Sequence, residues 1–132
     1  MPLRYTYDPG EKLLVTHCCG RITMHDLLDH FRKVEADHRI GPDYVELVTF
    51  DDEVEILFTA RDAQQIPSVY KGLKERKKIR ATVFAGETPL SFGVGRMMES
   101  LHEVYNPEDT VCVVHSQEEA RRWIAALPGK KE

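Results

Sequence analysis

Ile79-Arg80-Ala81-Thr82-Val83-Phe84-Ala85, then Gly86-Glu87-Thr88-Pro89, then Val94, Met97, Met98, Leu101, Val104 and Tyr105, then Thr110-Val111-Cys112-Val113-Val114-His115: residues 79–115 decide the fold class. The first run is β-branched and aromatic, the Gly-Pro turn follows, and apolar side chains then recur at helical spacing. Asn106-Pro107 stops that helix. The last run is short and continuously apolar, which predicts a strand buried on both faces. A strand, a helix and a second strand form one crossover unit, and such units build α/β sheets with right-handed connections.

Working outward from this unit, strands continue to alternate with helices. Tyr5 to Tyr7 and Lys12 to Cys19 are two β-rich runs around Asp8-Pro9-Gly10-Glu11, a hairpin in which proline presets φ and Gly10 permits a positive one. Gly20 closes the second strand. Thr23 caps a helix over Met24–Ala36, with Asp26 in its first turn and Leu27, Leu28, Phe31 and Val34 on one face. Tyr44-Val45-Glu46-Leu47-Val48-Thr49-Phe50 reads as a buried central strand. Thr59 caps a second helix, which Pro67 kinks or divides. Ser116 and Glu119 form the capping box of a final helix carrying Ala120, Trp123, Ile124 and Leu127. The order β-β-α-β-α-β-α-β-α makes a single α/β domain over residues 1–132, with its core over 5–127 and a solvated tail over 128–132.

Composition bounds the function classes. The chain has 132 residues, 42% hydrophobic and 30% charged, enough for one core without metal or disulfide staples. Its 18 basic and 22 acidic side chains sum to −4, which argues against a broad footprint for nucleic acid or an anionic membrane. The three cysteines, Cys18, Cys19 and Cys112, include an adjacent pair and make no disulfide framework, so a reducing, bacterial-type cytoplasm is expected. The N-terminus lacks the pattern of a secretory signal, and no apolar run is long enough for a membrane span.

Candidate chemistry is sparse. Six histidines, His17, His25, His30, His38, His102 and His115, share no HExxH, CxxC or compact Cys/His spacing, so no metal and no cofactor is expected. Cys18 and Cys19, adjacent on a strand, divide between core and surface; beside His17 they are either packing residues or a reactive thiol. Gly93, Gly95 and Arg96 open either an anion-binding helix start or a closely packed helix. Lys71 to Arg80 is the one basic run, a partner contact or a solvated helix end. Asp51-Asp52-Glu53 offers carboxylates with nothing near in sequence to complete a site. Acid/base or nucleophilic catalysis needs a base held by an orienting group; with no such constellation, a non-enzyme is expected.

The ensemble of the hairpin, Gly20-Arg21-Ile22-Thr23, Leu47-Val48-Thr49-Phe50-Asp51, Arg80-Ala81-Thr82-Val83-Phe84, Phe92-Gly93-Val94-Gly95-Arg96-Met97-Met98-Glu99 and Ser116 to Ile124 resembles the STAS-like proteins related to the sporulation anti-sigma-factor antagonist. That fold is shared with lipid-exchange (CRAL-TRIO) domains, and the resemblance covers about Tyr5 to Leu127. It implies a mixed sheet of about five strands with helices on one side, and a cytosolic protein-binding module. In phospho-switched antagonists a serine in an Asp-Ser-Ser/Thr-Gly segment is phosphorylated by a partner kinase. The corresponding Ile56-Leu57-Phe58-Thr59-Ala60-Arg61 lacks that Asp-Ser and the glycine, leaving Thr59 as phosphoacceptor or simple helix cap.

A partner or ligand contact is expected at Phe58, Thr59, Arg61, Phe92, Gly93, Gly95 and Arg96, because the two helices that carry them would start on one sheet edge. The partner implied is a protein, an anti-sigma-factor-like kinase among the candidates, or a second copy of the chain in a homodimer. Its lipid-exchange side implies the alternative, an apolar ligand pocket lined by Leu57, Phe58, Ile66, Val69, Phe92, Met97 and Met98, unless these only fill the core.

Overall fold

The computed structural model describes residues 2–128, so of the expected solvated tail only Pro128 falls within it and 129–132 lie outside the described residues. In chain order the elements are β1 (Leu3–Asp8), β2 (Leu13–Cys18), β3 (Arg21–Ile22), α1 (Met24–Ala36), β4 (Val45–Phe50), β5 (Glu55–Ile56), α2 (Ala60–Ala63), α3 (Ile66–Lys77), β6 (Ala81–Ala85), α4 (Pro89–Tyr105), β7 (Val111–Val114) and α5 (Gln117–Ala125). Five strands form a mixed sheet in the order β1-β2-β4-β6-β7, antiparallel between β1 and β2 and parallel elsewhere. Four longer helices pack on it, and α2 is a single turn.

From β2 to β7 the strand order rises steadily, so right-handed crossovers put α1, α3 and α4 on the same face. Side-chain alternation agrees. Leu14, Cys18, Val48 and Phe84 point to the crossover helices, while Leu13, Val45, Leu47, Ala81, Val83 and Ala85 point the other way and pack against Ala120 and Ile124 of α5. The expectation of helices on one side thus fails for α5. Helix α5 folds back over the opposite face, where the small Ala81 and Ala85 leave room for Ala120 and Ile124.

Thr23 and Thr59 start their helices as expected, Thr88 adds a cap that the sequence reading did not name, and the capping box expected of Ser116 and Glu119 forms only in its first half. Thr23, Thr59 and Thr88 each accept a hydrogen bond from the backbone N–H three residues on and complete a capping box, and Ser116 accepts from the Glu119 N–H. The Glu119 carboxylate reaches past Ser116 to the His115 N–H at 2.7 Å. Pro67 sits in the first turn of α3 and separates it from α2.

Three local expectations are corrected. In the hairpin turn the positive φ, 53°, belongs to Lys12 and not to Gly10, because the Asp8 carboxylate gathers the N–H groups of Gly10 and Glu11 and shifts the left-handed residue to the turn's end. The apolar strand β7 is only partly buried, because it lies at the edge of the sheet. Half of the basic run is engaged within the fold, Arg76 with Glu35, Lys74 with Asp109, and Lys77 Nζ with the carbonyls of Asp37 and Ile40, while Lys71 and Lys78 are exposed.

Tyr44, just before β4, is 0% exposed, and its hydroxyl has no hydrogen-bond partner among the described residues. Burial raises its pKa above the ordinary tyrosine value. Removing an unpaired buried hydroxyl relieves its desolvation cost, so Tyr44→Phe is expected to stabilise the fold by about 1 kcal/mol. Thermal unfolding checks this: the midpoint should rise by roughly 3–5 °C, and a fall would mean that the hydroxyl is paired.

Candidate functional site

Between the sheet and the crossover helices lies a cavity of about 60 Å³. Alternation along β2, β4 and β6 delivers Thr16 and Cys18, Glu46 and Val48, and Thr82 and Phe84 to its floor. His30 and Phe31 of α1, Ile66 and Tyr70 of α3, and Met97, Met98 and His102 of α4 supply the walls. The short parallel pair β3–β5, held by Glu55 N–H to the Gly20 carbonyl and Leu57 N–H to the Ile22 carbonyl, brings Ile22, Ile56 and Phe58 to the same lining.

A polar belt crosses this apolar enclosure. Thr16 Oγ1 donates to Glu46 Oε2 at 2.6 Å, and His30 Nε2 lies 3.2 Å from the same oxygen. Glu46 and Thr82 are register partners, and Thr82 Oγ1 is 2.8 Å from the Tyr70 hydroxyl. The Tyr70 ring meets His102 edge to face at 4.4 Å, His102 Nδ1 lies 2.7 Å from Asp109 Oδ2, and Asp109 also binds Lys74. Desolvation raises the Tyr70 pKa against the pull of Thr82, and burial pushes the Cys18 thiol up to about 12, with Glu46 and Cys19 adding to the effect. At neutral pH Cys18 is a protonated, apolar wall residue and no nucleophile. A glutamate inside the apolar run of β4 was the sequence signal for this belt.

The residues proposed from sequence at the carboxyl edge divide into groups. Phe58 lines the cavity. Thr59 is exposed at the N-cap of α2, where its hydroxyl accepts from the Asp62 N–H at 3.1 Å, and Arg61 beside it is exposed. Phe92 stacks on His115, with ring centroids 4.2 Å apart and planes 4° from parallel. Gly93 is open to solvent, whereas a Cβ on Gly95 would lie 3.0 Å from Val113 Cγ1 and 3.1 Å from Phe84 Cβ, so Gly95 serves close packing. Arg96 is exposed, with Nε 3.6 Å from Glu99. Of the proposed ligand-pocket residues, Phe58, Ile66, Met97 and Met98 line the cavity, while Leu57, Val69 and Phe92 do not.

Sequence reading missed two features. Gly86, between β6 and the Thr88 cap, is where α4 touches the strand end: a Cβ there would stand 2.5 Å from the Phe92 backbone. On the opposite face, Asp51 does find partners: His17 Nδ1 lies 2.7 Å from Thr49 Oγ1 and His17 Nε2 2.8 Å from Asp51 Oδ1. This arrangement orients an imidazole at both nitrogens and ties the ends of β2 and β4 together. It draws on residues 34 apart in sequence, which no local spacing signals. Among the described residues no group of three or more His, Cys, Asp and Glu side chains is arranged to hold a metal ion, and no helix is long and apolar enough to cross a membrane.

The sequence matches no protein-family model and no curated protein. Among solved structures it is similar to an uncharacterized protein of the DUF3478 family with a SpoIIAA-like fold from Shewanella loihica, at 16% identity and a TM-score of 0.57, over 92% of this chain and 91% of that one. The fold of this chain is therefore SpoIIAA-like, the STAS-like architecture that the resemblance implied.

Proposed function

We propose that this SpoIIAA-like chain is a non-enzymatic protein-interaction module of the bacterial cytoplasm, and that its partner docks on the outer face of α4 and the adjoining start of α2. Support comes from the way α4 distributes its side chains. Its buried positions are the small or polar Ser91, Gly95 and His102, whereas Leu90, Val104 and Tyr105 are 54%, 71% and 50% exposed. Leu90 and Val104 lie fourteen residues apart on one side of the helix, with Tyr105 beside the second, whereas Val94, Met97 and Leu101 turn inward, the first two to line the cavity. Large apolar side chains left this exposed at the ends of one helix are the surface on which a partner would bury area. Thr59, Arg61, Gly93 and Arg96 would form the polar rim, and a phosphate on Thr59 would oppose the Asp62 carboxylate and loosen α2.

A photo-crosslinking residue in place of Leu90 or Val104, with Arg121 on α5 as the control, tests this in the native host. Positions 90 and 104 are expected to capture the same discrete protein and position 121 to capture none. Equal capture at all three positions, or none, would overturn the reading. Mass spectrometry of the product would identify a homodimer, or a kinase partner together with phosphate on Thr59.

The cavity favours a second reading, in which the domain binds or carries a small apolar ligand. Its walls come from four parts of the chain and its lining is mostly apolar, as in ligand sites. Native mass spectrometry of protein purified gently from its host should then show a stoichiometric organic adduct, and a bare chain mass would count against it.

A further inference from the structure

We infer that the cavity selects ligands whose inner end donates a hydrogen bond, a hydroxyl or amino group on a short apolar body, and that Glu46 Oε1 is the acceptor. This rests on the second reading above. Glu46 is 5% exposed in the middle of the central strand, and both of its hydrogen-bond contacts, Thr16 and His30, fall on Oε2. Oε1 has no donor among the described residues, and Glu46 is one of the side chains that line the cavity.

Several other polar groups of the lining are engaged. Tyr70 and Thr82 hold each other, and His102 gives its Nδ1–H to the Asp109 carboxylate. Glu46 Oε1, like the second ring nitrogens of His30 and His102, is then an acceptor without a donor, set amid Val48, Phe84, Ile66 and Met98. A carboxyl group in an apolar enclosure is costly unless all its lone pairs find donors, and a strand that needed only packing would carry leucine or valine here. A ligand hydroxyl or ammonium supplies the missing donor. A ligand carboxylate would instead meet a like charge, so fatty-acid-type head groups are disfavoured. The space suits an apolar body of roughly four to six non-hydrogen atoms.

Titration of the protein, labelled at its methionine methyls, with 1-butanol, butylamine, 1-chlorobutane and butyrate tests this through Met97 and Met98. Butanol or butylamine is expected to bind about 10- to 100-fold tighter than chlorobutane, the range of a hydrogen bond to a charged acceptor, and butyrate weakest. Glu46→Leu should erase the preference of butanol over chlorobutane, and Glu46→Gln, which keeps a carbonyl acceptor, should retain much of it. The wild-type series alone decides the matter if either variant fails to fold. Chlorobutane binding as tightly as butanol, or butyrate binding best, would overturn the inference while leaving an apolar ligand site. If no compound moves the Met97 and Met98 signals, the ligand reading itself falls, and the inference with it.

Discussion

Gly86→Ala is expected to destabilise the protein by about 3 kcal/mol, at the upper end of what overpacking a close contact costs. A Cβ at residue 86 would stand 2.5 Å from both N and Cα of Phe92 and 2.8 Å from the Ser91 carbonyl carbon. These are backbone atoms of the first turn of α4, so no side chain can swing aside. Relief requires the helix to move away from β6, which disturbs the Thr88–Ser91 cap and the Phe92–His115 stack. Gly93→Ala is the internal control. Its position is open, so it should gain about 0.5–1 kcal/mol from helix propensity. Urea unfolding of the two variants should therefore shift in opposite directions, and a Gly86→Ala protein as stable as wild type would refute the contact.

Asp109→Ala should cost about 3 kcal/mol, because it removes the shared partner of His102 and Lys74 and leaves a buried imidazole unpaired. Asp109 and His102 side chains are 2% and 4% exposed, so water cannot replace the lost contact at His102; Lys74, 28% exposed, can partly recover by reaching solvent. The Asp109 N–H also donates to the Asn106 carbonyl, and Asn106 Nδ2 donates to the Pro67 carbonyl, so this cluster joins the end of α4 to the start of α3. Equilibrium unfolding of Asp109→Ala, Lys74→Met and the double variant measures the coupling. The double variant should lose less than the sum of the single ones. A loss below about 1 kcal/mol for Asp109→Ala would show that the cluster is solvated and contributes little.

Much of the fold was legible because its signals are local. The run Val45–Phe50 is dense in β-branched and aromatic side chains and lies at the centre of the sheet. Thr23, Thr59, Thr88 and Ser116 start their helices because a hydroxyl three residues before a free N–H can cap it whatever surrounds it. The candidate site was legible only in part. Phe58, Met97 and Met98 reach the cavity, but Phe92 was grouped with them from its neighbourhood in sequence and instead turns to His115. Glu46 was read only as part of a buried strand, although it is a charge in an apolar run, because its partners are 16 and 30 residues away.

By itself, the sequence determined the alternation of strands and helices, the positions of the helix starts, the division at Pro67 and the absence of a metal-ligand spacing, because backbone propensity, capping and periodicity act over one to four residues. Only the tertiary structure decided that β7 lies at an edge, that α5 covers the opposite face, that Gly86 is the contact glycine, and that His17 meets Asp51 and Glu46 meets His30. Each of these depends on how the sheet orders its strands and which face each crossover occupies. Those are choices of global packing, and they bring together residues that no local periodicity relates.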